Sequence, residues 1–181
     1  SFGKSDNRTM IHCELKICVG CRMCEVACSA FHFDGVTRAM SRIRVAKLEN
    51  VGVEMAIACL SCLEKPCLEC PTLALTVGDN GEIILDEDLC TSCEICVEEC
   101  PVGAIGFYDD LPLLCDLCDG ATSCVTACPS DALSYIEDHR DSSLASFLQA
   151  DGNPNQKRAN YVSVQGEPIR EGWKNGLRVD S

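Results

Sequence analysis

The chain has 181 residues, a formal net charge of −13, 5% aromatic residues and 17 cysteines. The length bounds it to one or two small domains, and the acidity excludes a nucleic-acid reader, which needs a basic stripe. No apolar run approaches the roughly 18 residues of a membrane span, and the start, SFGKSDNRTM, lacks the apolar core of a secretory signal.

That start points to a reducing, cytoplasmic setting, in which clustered thiols are metal ligands rather than disulfides. Cysteine at this frequency otherwise marks a disulfide scaffold, but thiols two or three residues apart cannot staple distant segments. In chain order, a polar lead-in ends in a strand expected within Met10–Ile17. Cys13 lies in it, fits no group of four, and reads as a small buried side chain. The first group follows: Cys18, Cys21, Cys24 and Cys28, spaced C-x2-C-x2-C-x3-C, with Ser29 where a proline follows the later groups. His32, just beyond, is placed to anchor a loop or to hydrogen-bond a metal-bound thiolate. Ser41–Leu48 and Val53–Ala58 read as two strands around a turn, ENVG.

The second group is Cys59, Cys62, Cys67 and Cys70, then Pro71, spaced C-x2-C-x4-C-x2-C-P. LALTV and EIILD on either side of Asn80-Gly81 make a hairpin signal. The third group is Cys90, Cys93, Cys96 and Cys100, then Pro101, and a short strand is expected in PVGAIGFYDD. The fourth is Cys115, Cys118, Cys124 and Cys128, then Pro129, spaced C-x2-C-x5-C-x3-C-P. An exit phrase recurs as Cys70-Pro-Thr-Leu-Ala-Leu, Cys100-Pro-Val-Gly-Ala-Ile and Cys128-Pro-Ser-Asp-Ala-Leu. It implies one unit used repeatedly: cysteine loop, short helix carrying the fourth cysteine, strand. From Glu137 to Ser181 there is no cysteine, and DGNPNQKRAN suggests an irregular stretch. Tyr161, Val162, Val164, Ile169, Trp173 and Leu177 follow no clear period, which suits a segment draped over a partner.

Charge is uneven along the chain. Residues 1–65 carry nine basic and seven acidic residues, whereas between Lys65 and Arg140 there is no Lys or Arg and there are sixteen Asp and Glu. Such acids are either plain solvated surface or a field that favours the oxidised form of an already anionic cluster.

The run Cys90–Pro101, C-x2-C-x2-C-x3-C-P, has the spacing of bacterial ferredoxins, where three cysteines hold one [4Fe–4S] cluster and the fourth reaches a second. Sixteen cysteines in four groups give, most simply, four [4Fe–4S] clusters. The short hairpin between groups two and three makes those two an inner pair, and groups one and four an outer pair. The expected inner sets are Cys59, Cys62, Cys67 with Cys100, and Cys90, Cys93, Cys96 with Cys70. The outer sets are Cys18, Cys21, Cys24 with Cys128, and Cys115, Cys118, Cys124 with Cys28. The expected fold class is α+β: two nested bacterial-ferredoxin-like (βαββαβ-type) units and an irregular C-terminal tail. Residues 1–58 with 110–136 form the outer unit, 59–109 the inner unit, and 137–181 a partner-binding extension.

Four such groups in this order, over Cys18 to Tyr135, resemble the four-cluster iron–sulfur subunits of molybdenum- and tungsten-pterin oxidoreductases of the dimethyl-sulfoxide-reductase type. The compact fourth group, LLCDLCDGATSCVTACPSDAL, and the stretch ACSAFHFDG…SRIRV resemble small subunits of tungsten aldehyde oxidoreductases and of class II benzoyl-coenzyme A reductases. The resemblance implies paired ferredoxin-like folds, four [4Fe–4S] clusters, a large pterin-bearing catalytic partner, and a flavin or ferredoxin electron partner. The short Cys67–Cys70 gap departs from the commoner pattern and leaves a three-iron cluster open at the site completed by Cys70.

No nucleophilic triad, phosphate loop or dinucleotide fingerprint occurs, and Gly103 and Gly106 lie in no G-x-G-x-x-G run. The chain is therefore expected to relay electrons and to have no substrate of its own. Two other readings stand beside this: a free polyferredoxin serving several enzymes, and a zinc protein. The second is opposed by the three-cysteine run, since zinc ribbons use separated C-x2-C pairs.

Overall fold

Cysteine loops interrupt this chain so often that no strand among the described residues exceeds five residues. The computed structural model describes residues 9–49, 52–137 and 151–175. The elements are β1 (Met10–Cys13), α1 (Met23–His32), β2 (Arg44–Leu48), β3 (Val53–Ile57), β4 (Leu75–Val77), β5 (Ile83–Leu85), α2 (Ile95–Glu99), β6 (Gly106–Tyr108), β7 (Leu111–Leu113), α3 (Ser123–Thr126), β8 (Leu133–Ile136) and α4 (Pro154–Lys174). Short 3-10 turns lie at Arg38–Met40, Pro66–Leu68 and Leu117–Gly120.

The strands pair as antiparallel ribbons β1–β8, β2–β3, β4–β5 and β6–β7. The fold is thus a small α+β arrangement of ribbons and short helices. Three ribbons are local hairpins. In β4–β5 the turn closes with Gly78 N donating to Glu82 O at 2.8 Å, and Gly81 takes φ 84°. In β6–β7 the two-residue turn is Asp109-Asp110, at φ 51° and 61°, the geometry that suits the twist of a hairpin. The strand β7 adds to the single strand expected in that region. The fourth ribbon is long-range: Met10 faces Ile136 and Cys13 faces Leu133, so the start of the chain is tied to the exit of the fourth cysteine group.

The core is built from short aliphatics and thiols. Ile43, Ile57, Val102 and Val162 are among its fully buried members, and Cys24, Cys28, Cys96, Cys100 and Cys124 belong to the same cluster. The most deeply buried charged side chain among the described residues is Glu25. Glu25 on α1 is 1% exposed and accepts from Arg38 Nε at 2.6 Å, Arg22 Nη1 at 3.4 Å and Val45 N at 2.8 Å, joining α1 to β2.

The region expected to be irregular contains α4, a 21-residue helix. Asn153 caps it by accepting from Gln156 N at 3.0 Å, Gln156 Oε1 returns by accepting from Asn153 N at 2.8 Å, and Pro154 occupies the first turn. α4 packs on the β2–β3 hairpin of this chain through Tyr161, Val162 and Gly166, where an added Cβ would stand 3.0 Å from Val53 Cγ1. Tyr161 is therefore buried internally, while Trp173 is 53% exposed. The expectations that fall on residues 1–8, 50–51, 138–150 and 176–181, including Leu177, lie outside the described residues. Among the described residues no helix is long and apolar enough to cross a membrane.

Candidate metal centres

Each cysteine group curls its backbone in the same way. The residue before the second cysteine is left-handed in all four: Gly20 at φ 58°, Ser61 at 49°, Ser92 at 56° and Leu117 at 59°. Only glycine adopts that region without cost, so three side chains carry strain to turn the loop. Left-handed residues in such loops make successive N–H groups converge into an anion-binding concavity. The three exit phrases also share a left-handed residue three places after the fourth cysteine: Leu73 at 57°, Gly103 at 63° and Asp131 at 54°. This kink brings the N–H of the following alanine back to the thiol, and Ala104 N donates to Cys100 Sγ at 3.2 Å. Ala74 and Ala132 serve Cys70 and Cys128 in the same manner.

The first group differs. With Ser29 in place of proline, α1 continues through Cys28 to His32. The donor to Cys28 Sγ is then Arg42 N, at 3.2 Å from another segment. In the other three groups the helical turn ends one or two residues before the fourth cysteine, because the following proline and the kink terminate it.

All seventeen cysteines are free thiols. Cys59, Cys62, Cys67 and Cys100 line one cavity, which Cys115 of group four also borders, walled by Leu60, Ile83, Val102 and Leu114. Cys70, Cys90, Cys93 and Cys96 line another, with Thr72 and Phe107. Groups one and four meet through α1 and α3, where Cys24 lies close enough to Cys124, and Cys28 to Cys115 and Cys124, to repel as thiolates. Cys128 Sγ stands 3.7 Å from Ser130 Oγ. Cys21 and Cys93 are exposed.

Burial, then the neighbouring Cys59 and Cys100, pushes the Cys62 thiol up to about 12. Burial likewise pushes Cys96 up to about 11 and Cys24 up to about 12, and raises Cys59, Cys67 and Cys115. Four thiolates cannot coexist in such a site without a cation, so ionisation accompanies metal binding. Soft thiolate sets of this kind suit iron–sulfur clusters and zinc, and the inward N–H donors to sulfur fit a cluster, whose potential such bonds tune. A [4Fe–4S] cluster therefore fits the two cysteine-lined cavities on donor chemistry.

Two partners of the thiols lie outside the four-group pattern. Cys13 donates a hydrogen bond to Cys18, which lowers Cys18 to about 6 and raises Cys13. His32 sits with Nδ1 at 2.8 Å from Cys28 O and 3.8 Å from Cys28 Sγ, and Nε2 at 2.8 Å from Asp116 Oδ1. Both ring nitrogens face acceptors. Burial disfavours the charged ring, but the bonds to Asp116 and Cys28 outweigh it and raise its pKa to about 10. Asp116 in turn accepts from Arg42 Nη1 at 2.7 Å and Cys118 N at 2.9 Å, and is held at about 2 against its burial. His32, Asp116 and Cys118 offer ligand atoms within 4.8 Å of one another. The ring and carboxylate already satisfy each other, so the trio is a strut between the loops of groups one and four. Asp116 was invisible to sequence reasoning because its partners stand 84 and 74 residues away.

Residues 83–106 match the 4Fe-4S binding domain, a stretch that holds the whole third group. The chain is 40% identical over 98 residues to formate hydrogenlyase subunit 2 of Escherichia coli (strain K12), covering 54% of this chain and 47% of that protein. It is 41% identical over 86 residues to the aliphatic sulfonate oxidoreductase polyferredoxin-like subunit of Pyrococcus furiosus, covering 46% and 49%. Over 109 residues it is 34% identical to the formate dehydrogenase iron-sulfur subunit of Wolinella succinogenes, covering 58% and 54%. The chain spans about half the length of the curated relatives it matches. Among solved structures it aligns with the active site complex BamBC of benzoyl coenzyme A reductase as isolated, over 89% of this chain and 98% of that one, at 29% identity and a TM-score of 0.45. Residues 83–106 are thus similar to 4Fe-4S binding sequences, and the chain is similar to iron–sulfur and electron-transport subunits of oxidoreductases.

Proposed function

We propose that this chain is the electron-transfer subunit of an oxidoreductase complex and relays single electrons through four [4Fe–4S] clusters. The observation that carries the reading is the convergence of Cys59, Cys62, Cys67 and Cys100 on one cavity, with Cys115 at its border, and of Cys70, Cys90, Cys93 and Cys96 on another. The outer sets are Cys18, Cys21, Cys24 with Cys128, and Cys115, Cys118, Cys124 with Cys28. The bound clusters supply one-electron transfer, while the chain holds them, shields them from water and tunes them through N–H and hydroxyl donors. Full thiolate ligation leaves no open position for a substrate, so the chemistry belongs to a partner, a large tungsten- or molybdenum-pterin subunit.

The order of the relay follows from which thiols interact. Group one meets group four through Cys24 and Cys124, group four meets group two through Cys115 and Cys59, and Cys100 joins group two to group three. The two ends, groups one and three, are those with an exposed cysteine, Cys21 and Cys93. Such a wire receives electrons at one surface and delivers them at another. The names of the relatives, which are subunits of formate hydrogenlyase, sulfonate oxidoreductase and formate dehydrogenase, agree with that use.

Anaerobic purification from the native source with metal analysis tests the partner. The expected result is co-elution with a larger subunit in fixed ratio that contains tungsten or molybdenum. A chain that elutes alone with its iron contradicts the subunit reading and supports a free polyferredoxin, and a colourless, zinc-loaded chain contradicts both.

A further inference from the structure

The exit phrases are alike in backbone and differ at one side chain. Two places after the fourth cysteine stand Thr72, Val102 and Ser130. Thr72 Oγ1 lies 3.5 Å from Cys70 Sγ, and Ser130 Oγ lies 3.7 Å from Cys128 Sγ. A sulfur bound to iron carries no proton, so the hydroxyl is the donor in both pairs. Val102 holds the same place with an isopropyl group, is 1% exposed and lines the cavity of Cys59, Cys62, Cys67 and Cys100. Among the described residues no side chain hydrogen-bonds Cys100 Sγ, whose donor is Ala104 N.

From these we infer that the residue two places after the fourth cysteine tunes the potential of the cluster that cysteine completes: Thr72 and Ser130 raise it, and Val102 withholds the same increment. The inference rests on the cluster reading above. Reduction adds negative charge to the cluster and its sulfurs, and a hydrogen bond to a charged acceptor is stronger than one to a less charged acceptor. A donor aimed at a ligand sulfur therefore favours the reduced state. The backbone donor is common to the three phrases, so the side chain is what distinguishes them. Group one lies outside the rule because its donors, His32 and Arg42 N, come from the continued helix and a separate segment. Lys65 also borders the Val102 cavity, and its ammonium favours negative charge there through space. The rank of the clusters is thus set by more than this position, and swapping side chains in place isolates its effect. Threonine and valine have nearly the same shape, so the exchange trades a hydroxyl for a methyl.

The test is an EPR-monitored redox titration of the full, cluster-loaded chain, comparing wild type, Thr72→Val and Val102→Thr, with iron content measured on each. Thr72→Val should lower the midpoint of one cluster, by about threefold in the ratio of oxidised to reduced at fixed potential, or about 28 mV at 59 mV per decade. Val102→Thr should raise the midpoint of a different cluster by a similar factor. Unmoved midpoints in Thr72→Val with full iron content overturn the proposal. If the buried hydroxyl of Val102→Thr expels iron, Thr72→Val decides alone, since Thr72 is only half-buried. A wild-type chain without cluster signals overturns the cluster reading itself, and the proposal with it.

Discussion

Glu25 is the residue on which α1 and β2 depend for their relative position. Its carboxylate is 1% exposed and collects two guanidinium groups and one backbone N–H. Arg38 is half-exposed, which weakens its share through solvent screening. The buried N–H of Val45 has no such relief. Glu25→Ala should cost about 2–3 kcal/mol, chiefly by orphaning that N–H and leaving two cations unpaired. The thermal bleaching midpoint should fall by roughly 4–10 °C, and Glu25→Gln, which keeps an acceptor for Val45 N, by less. Equal loss in both variants would show that charge, not the backbone bond, is what matters. At this scale the grouping of sixteen cysteines in fours was legible because their spacing is local. Their support was not: Leu117 and Ser61 are poor residues for a left-handed position, Arg42 reaches Cys28 from 14 residues away, and Cys13 is a donor rather than mere filler.

At the scale of elements, the hairpins β2–β3 and β4–β5 were legible from alternating runs around turn residues. The ribbon β1–β8 was not, because nothing in either strand names a partner 120 residues away, as Cys13 and Leu133 are. α4 was missed for a different reason. Gly152-Asn153-Pro154 reads as a loop, yet Asn153 and Gln156 form a capping box and the proline sits where its missing N–H is harmless. Its docking face is also not an apolar stripe: Gly166 allows close approach, Lys157 Nζ donates to Glu98 O, and Arg158 Nη1 donates to Gly103 O at 2.6 Å. Val162 is the apolar centre of that face, at 0% exposure. Val162→Asp buries an unpaired carboxylate and should release α4. Limited proteolysis should then cut within 151–175 while the iron content stays at the wild-type level. Loss of iron together with the helix would show instead that α4 is part of the cluster scaffold.

For the whole molecule, the aliphatic core is thin and the thiols are part of it, so the clusters and the fold depend on each other. The acidic stretch between Lys65 and Arg140 holds groups three and four and the second half of group two, whereas group one and Cys59 and Cys62 lie in the mixed-charge part of the chain. The most direct test is an anaerobic reductive titration with iron and sulfide analysis on wild type and Cys100→Ser. The account predicts about sixteen irons and about four electrons per wild-type chain, as sixteen cysteines in four groups require, and in Cys100→Ser damage confined to the cluster of Cys59, Cys62 and Cys67. Fewer electrons in wild type, or loss in Cys100→Ser of the cluster held by Cys90, Cys93 and Cys96, would contradict it.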